Sequence, residues 1–322
     1  MSKTQKSANS GTGADIKRLD ITGHRKIFYI ISLALIVLAV VVTFLGADVA
    51  IEFKGGTMIT YSFAGDINDA DAEKKVEELT GANVTVQQGE MFQSDRKKLS
   101  ISFVSNEGFT AEKQTALTSA LQEAYKDNDL QILDSTDVAA SSGRNFFIKC
   151  IVAVIFSAVV LILYISLRFK RMSGWSSGIC AVLALLHDIV VTYAAFVLMG
   201  FQINSNFIAV VLTILGSSIN DTIVVYDRIT ENRKLMPAAE IHDLVNISTT
   251  QSMTRSFRTT ITTVATMIII SIVAYMRGVT SILSFSIPIS VGMIVGTYSS
   301  LCLAPSLWVS MQKAKKSAYD FY

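Results

Sequence analysis

Six apolar runs, separated by polar segments of very unequal length, organise this chain. They cover about 27–46, 146–167, 175–199, 203–226, 258–276 and 282–311. Each is near or above the ~20 residues a helix needs to cross a bilayer. The first is too long for the ~7–15-residue apolar region of a cleaved export signal, so it reads as a retained helix. The last exceeds one bilayer thickness and is expected to tilt or protrude. Pro288 and Pro305 are both placed to kink it.

One intervening segment, 47–145, is long and hydrophilic, and its periodicity is orderly. Alternation over 56–63 predicts a strand, and helical spacing over 67–79, with acidic residues in its first half, predicts a helix. Two strands follow at 83–92 and 98–105, joined by a turn at Gln93-Ser94-Asp95-Arg96. An amphipathic helix over 110–125, capped by Thr110, leads to a last strand at 130–135. The order β-α-β-β-α-β is the split βαβ arrangement. The expected fold is therefore an α-helical polytopic membrane protein. It has six transmembrane helices and one extracytoplasmic α+β (βαββαβ, ferredoxin-like) domain between helices 1 and 2. A polar tail, 1–26, precedes the first helix and a basic tail, 312–322, follows the five-helix membrane domain of 146–311.

Composition supports this and removes other classes. Hydrophobic residues make up 51% of the 322 and charged residues 17%, too apolar for an ordinary soluble domain. A net charge of +2 gives no case for nucleic acid. Cys150, Cys180 and Cys302 all lie in apolar segments and read as small hydrophobes, so neither a disulfide nor a metal is expected. The basic residues have a side. Arg25 and Lys26, then Arg168, Lys170 and Arg171, then Arg228, Arg233 and Lys234, then Lys313, Lys315 and Lys316 all fall at one set of helix ends. The turns at the other ends, around Gly200 and Gly278, carry only Arg277. Both termini are thus expected in the cytoplasm, with the α+β domain facing outward.

Ionisable residues inside the runs are the candidate chemistry. Such a group near the bilayer centre costs roughly 2.5–3.5 kcal/mol on insertion scales and by default marks an ion or substrate path. Asn220 and Asp221 lie in the inner half of the fourth run, His187 and Asp188 near the middle of the third. Arg255 and Arg258 lie at the inner start of the fifth. The fourth and fifth helices run in opposite directions, which brings Asp221 and one of these arginines to similar depth. The charge of a carboxylate facing a guanidinium depends on their separation and hydration, so such a pair can switch a proton relay. Other readings compete: His187 as a hydrogen-bonded packing residue, since adjacent helical positions face apart; Asp227 and Arg228 snorkelling at the inner edge; and the Ser/Thr-rich stretch 248–263 as interhelical hydrogen bonding. Gly292 and Gly296 read as a close helix contact.

With these residues in view, the chain resembles the SecF family of protein-export subunits over nearly its whole length. Glu52-Phe53-Lys54-Gly55-Gly56-Thr57 is similar to the family's acidic-Phe-x-Gly-Gly-Thr motif after the first helix. Tyr164, Arg168-Phe169 and His187-Asp188 match next. A long match follows at Gly216 and from Ile219-Asn220-Asp221 through Asp227-Arg228 to Glu231-Asn232. Gln251-Ser252-Met253-x-Arg255-Ser256 and Val295-Gly296-Thr297-Tyr298-Ser299-Ser300 complete it. Lys54, Ser217 and Ser252 depart from the usual residues without removing a charge from the path. The resemblance implies the resistance-nodulation-division superfamily and assembly with SecD and the SecYEG translocon. It implies a bacterial cytoplasmic-membrane location and use of the proton gradient to promote preprotein export. Asp221 and an arginine would form this subunit's proton path. Motif register favours Arg255, while depth in the fifth run favours Arg258. Two alternatives stand beside this: a structural subunit in which Asp221 is interhelical glue, and a stand-alone small-molecule transporter, against which the missing second repeat counts. No phosphate-cradling loop with lysine, nucleophile elbow or metal-ligand cluster is present in the sequence, so neither an enzyme nor a cofactor is expected.

Overall fold

In the computed structural model of the chain, the described residues are 19–44, 46–82, 84–90, 96–103, 110–172, 174–277 and 279–319. The expected polar tail up to residue 18, the turn at 93–95 and the side chains of Lys313, Lys315 and Lys316 lie outside them.

The outer domain is built from β1 (Gly56–Phe63), α3 (Asp69–Thr80), β2 (Val84–Glu90), β3 (Lys97–Phe103), α4 (Ala111–Ala124) and β4 (Gln131–Val138). The strands form one sheet in the order β2-β3-β1-β4, every neighbouring pair antiparallel. Alternation buries Ile59, Tyr61 and Phe63 of β1 against Leu99, Ile101 and Phe103 of β3, and Ala72, Val76, Leu117 and Leu121 from the two helices close the layer. Asn68 caps α3 by accepting from the backbone of Ala70 and Asp71. Thr110 precedes α4, but its side chain makes no capping bond, contrary to expectation.

Among the described residues, six helices are long and apolar enough to cross a membrane. They are α1 (Arg25–Phe44), α5 (Ala140–Arg168), α6 (Gly174–Leu198), α7 (Ser205–Leu235), α8 (Ile241–Met276) and a last span made of α9 (Thr280–Tyr298), a π-helical turn (Ser299–Leu303) and α10 (Ala304–Tyr319). A four-residue helix, α2 (Ile51–Lys54), joins α1 to β1. The helix α6 is the axis of the bundle, with most of its residues buried, whereas α5 buries almost none of its own. Gly292 of α9 gives the buried Ile214 side chain of α7 its place: a Cβ there would meet Ile214 Cδ1 at 2.0 Å.

Helix α8 begins seventeen residues before the apolar run that announced it at 258. The extra turns are polar and become helical by packing on the equally polar end of α7. Arg228 Nε and Asn232 Nδ2 both donate to Gln251 Oε1, at 2.6 and 2.8 Å, and Asn232 also donates to Ser248 at 2.9 Å. Asp227 pairs with Arg168 at 2.8 Å and Arg228 with Glu231 at 2.6 Å, and all four side chains stay partly exposed. The Ser/Thr-rich stretch of α8 bonds across helices at Thr260, which meets Thr297 of α9, and at Ser248, which accepts from Asn232 of α7. Most of its hydroxyls, among them Ser252, Thr259 and Thr262, donate to their own helix one turn back.

Candidate functional site in the membrane bundle

Asp188 on α6 is fully buried at the centre of a polar knot. Its Oδ2 accepts from Ser218 Oγ of α7 and from Ser299 Oγ of the π turn, each at 2.7 Å. Ser300 donates to the Ser218 carbonyl at 2.9 Å, and Thr222 donates to Ser300 Oγ at 2.9 Å. The wider π turn lets the consecutive residues Ser299 and Ser300 both reach this knot, and such turns concentrate at functional sites. Gly296 leaves room: a Cβ there would lie 3.3 Å from Ser218 and 3.7 Å from Asp188 Oδ2. A low-dielectric interior tolerates a carboxyl group only with its hydrogen bonds met, and here the surrounding hydroxyls meet them.

His187 departs from the expectation that neighbours on a helix face apart. Its ring turns back so that Nδ1 lies 3.2 Å from Asp188 Oδ1. Its Nε2 is buried with no hydrogen-bond partner among the described residues.

Asp221 sits one turn further along α7 from this knot and is 7% exposed. Across from it on α8 are Arg255, whose charge acts on the carboxyl, and Ser256. Ser256 is fully buried and closes no hydrogen bond of ordinary geometry. Among the described residues no ion pair within 4.0 Å joins Asp221 to either candidate arginine. Arg255 lies one turn beyond Gln251, the residue that fixes the register of α8 against α7. Arg258 is exposed, and Asn220, next to Asp221, is exposed too. The structure thus places His187, Asp188 and Asp221 in the bundle interior, with the exposed Arg255 of α8 beside Asp221, and leaves Asn220 and Arg258 on outer faces.

The sequence profile described as protein export membrane protein SecD/SecF, C-terminal, matches residues 117–314. Protein translocase subunit SecF of Petrotoga mobilis is 33% identical over 92% of this chain and 97% of its own length. The chain belongs to the SecF family. SecF of Alicyclobacillus acidocaldarius is 31% identical over 93% of this chain and 96% of its own. A crystal structure of SecDF, a translocon-associated membrane protein from Thermus thermophilus, superposes with a TM-score of 0.78 at 27% identity. That match covers 94% of this chain and 40% of the SecDF chain. This is accordingly a multi-pass membrane protein of the Sec protein-translocation apparatus.

The SecF-family motifs that lie far apart in sequence meet in space. Phe169 packs edge-on against Tyr226 at 5.6 Å, beside the Arg168–Asp227 pair. Ser299 and Ser300 complete the knot around Asp188. Sequence reasoning did not single out Ser218, Thr222 or Gln251 by role. The signal for the first two was present as hydroxyl residues at i and i+4 within an apolar run. On the outer side, Gly55 and Gly56 take φ of 81° and 138°, values a side chain disfavours, and these turn the chain from α2 into β1. Thr57 donates to Asp137 of β4 at 2.6 Å, and Glu52 reaches the first residue of α7.

Proposed function

We propose that this chain, together with a SecD-type partner, uses the transmembrane proton gradient to promote preprotein export through the SecYEG translocon of a bacterial cytoplasmic membrane. Asp221 is the carboxyl that takes up and releases the proton, and Arg255 is the group that biases its charge. The observation that carries this is the contrast between the two buried aspartates. Asp188 is tied by two hydroxyl donors and a histidine, while Asp221 has only the Ser256 hydroxyl and an exposed guanidinium beside it, with no ion pair to the latter within 4.0 Å. An acid that must change its protonation state in every cycle needs such a loosely held place. One charge moving through ~100 mV releases about 2.3 kcal/mol, enough to bias a two-state bundle.

The remaining assignments follow the same reading. Both termini face the cytoplasm and the α+β domain faces outward. That domain's element order and its β2-β3-β1-β4 sheet fit the split, ferredoxin-like arrangement. The SecDF chain that this one resembles is longer, and the aligned part is 40% of it. A separate SecD-type subunit would supply the rest here.

The test is difference infrared spectroscopy of the lipid-embedded complex, wild type against Asp221→Asn, with gradient-dependent export assayed on the same samples. A carboxyl band that titrates in wild type and is missing in the variant is expected, with export losing its gradient dependence while assembly persists. Unaltered export by Asp221→Asn would sink the proton role and leave the structural-subunit reading in its place.

A further inference from the structure

We infer that Glu52 is a transmission residue. It bolts the root of the outer domain to the outward end of α7, so that a displacement of α7 at Asp221 moves the outer domain. The inference rests on the proton-coupled reading above and gives the Glu-Phe-x-Gly-Gly motif a mechanical role.

The joint is made of independent contacts. Ile203 N donates to the Asp48 carbonyl at 2.8 Å and Ala50 N to the Ile203 carbonyl at 3.1 Å, a short parallel bridge between the chain leaving α1 and the chain entering α7. Gln202 Nε2 donates to Asp48 Oδ2 at 2.7 Å. Glu52 Oε2 accepts from Ser205 N at 2.9 Å and from the Ser205 hydroxyl, while Asn204 accepts from Asn206 N at 3.0 Å. Together the two side chains occupy the free N–H groups of the first turn of α7, where a carboxylate is also favoured by the helix dipole. Phe53 is buried in the same place, stacked on Phe146 of α5 at 5.4 Å and packed with Phe196, Ile203 and Val210.

The geometry beyond the joint is what makes it a lever. Gly56, two residues past α2, opens β1, which lies inside the sheet between β3 and β4. The domain's other connection, from β4 into α5, passes the same spot: a Cβ on Gly143 would lie 2.7 Å from Gly55 N. Both roots of the outer domain therefore meet where Glu52 holds α7. From Ser205 to Asp221 is sixteen residues of unbroken helix, about 24 Å at 1.5 Å per residue. A rigid helix with a pinned end carries motion over that distance, given two positions of the bundle for it to connect.

The experiment uses the lipid-embedded complex and reads the increment of export that the gradient adds. Three variants are compared with wild type: Glu52→Ala, Glu52→Gln, and Glu52→Ala combined with Val49→Cys and Ile203→Cys, which face each other across the bridge. The 49–203 disulfide is verified by mass spectrometry. Glu52→Ala is expected to keep the Asp221 carboxyl band and lose the increment, whereas Glu52→Gln, which retains an acceptor oxygen, keeps most of it. Oxidation of the triple variant is expected to restore the increment, and reduction to remove it again. A plain helix cap would not be replaced by a covalent link at a different pair of residues.

An undiminished increment in Glu52→Ala overturns the inference, as does an oxidised joint that fails to rescue. Loss of the Asp221 band in Glu52→Ala would also overturn it, by showing that the residue acts on the proton site itself. Failure of the parent reading looks different: wild type and Asp221→Asn would then export alike before any Glu52 variant is compared.

Discussion

At the scale of single residues, the two buried aspartates are expected to respond differently to truncation. Asp188→Ala leaves the hydroxyls of Ser218 and Ser299 without their shared acceptor in a buried site. A buried donor stripped of its partner costs about 1–3 kcal/mol, so the purified protein should melt at a clearly lower temperature. Asp221→Ala takes away only the contact with the Ser256 hydroxyl and should melt closer to wild type. Equal losses of thermal stability in both variants would contradict this division of roles. Both carboxyls were legible in the sequence, because charge inside an apolar run stands out at once. Which of them is tied was not legible. The donors to Asp188 lie 30 and 111 positions away, and only the fold brings them together. The side-chain reach of His187 back to Asp188 was hidden for a related reason: position on a helix fixes where Cβ points, not where a ring ends.

At the scale of elements, the spans were readable because hydropathy reports them directly, and β1 because its alternation is strict. The first half of α8 was not. Its residues from Ile241 onward are polar enough to pass for a loop, and they are helical because α7 extends beside them. The segment before α1 has a similar hidden role. Ile21 N, Thr22 N and Thr22 Oγ1 all donate to Asn246 Oδ1, at 3.1, 3.0 and 3.1 Å, and Asn246 Nδ2 donates to Asp20 Oδ1 at 3.0 Å. This clasp ties the start of α1 to α8 several turns before Arg255. Asn246→Ala removes the shared acceptor, so the Ile21 and Thr22 amides should change from slow to fast hydrogen exchange. The clasp also has a pH dependence. The Gly23 backbone N–H and the Asn246 amide hold the Asp20 carboxyl below its ordinary range. A group depressed in the folded state adds stability above its unfolded pKa, about 3.9 for Asp, and loses it as pH falls through the folded value. The protection of the Gly23 amide, its exchange relative to the intrinsic rate at each pH, should therefore fall only in acid below that range. A fall in protection between pH 5 and 8 would mean that a different group controls the clasp.

At the scale of the whole molecule, the bundle is finished on one side only. Along α8, Arg255, Arg258, Thr259, Thr262 and Thr266 recur at helical spacing and are all exposed. The threonine hydroxyls can live in hydrocarbon, since Thr259, Thr262 and Thr266 donate to backbone carbonyls one turn back. Two guanidinium groups cannot do so cheaply, and lipid offers them no acceptor at membrane depth. A polar stripe with arginines facing outward fits a surface that another protein covers, and this chain matches only 40% of the SecDF chain that it resembles. The proton site proposed above would then be closed by the partner, because Arg255 belongs both to the stripe and to the surroundings of Asp221. A nitroxide at Thr262→Cys tests this by its accessibility to oxygen, which partitions into lipid, and to a water-soluble nickel complex. In the chain alone, one of the two should reach the label freely. On assembly with a SecD-type subunit, both should lose access together, as they do for a label buried between proteins. If oxygen access persisted in the assembled complex, the stripe would face lipid. The arginines would then have to reach the headgroups unaided, and Asp221 would have to work without a closing partner.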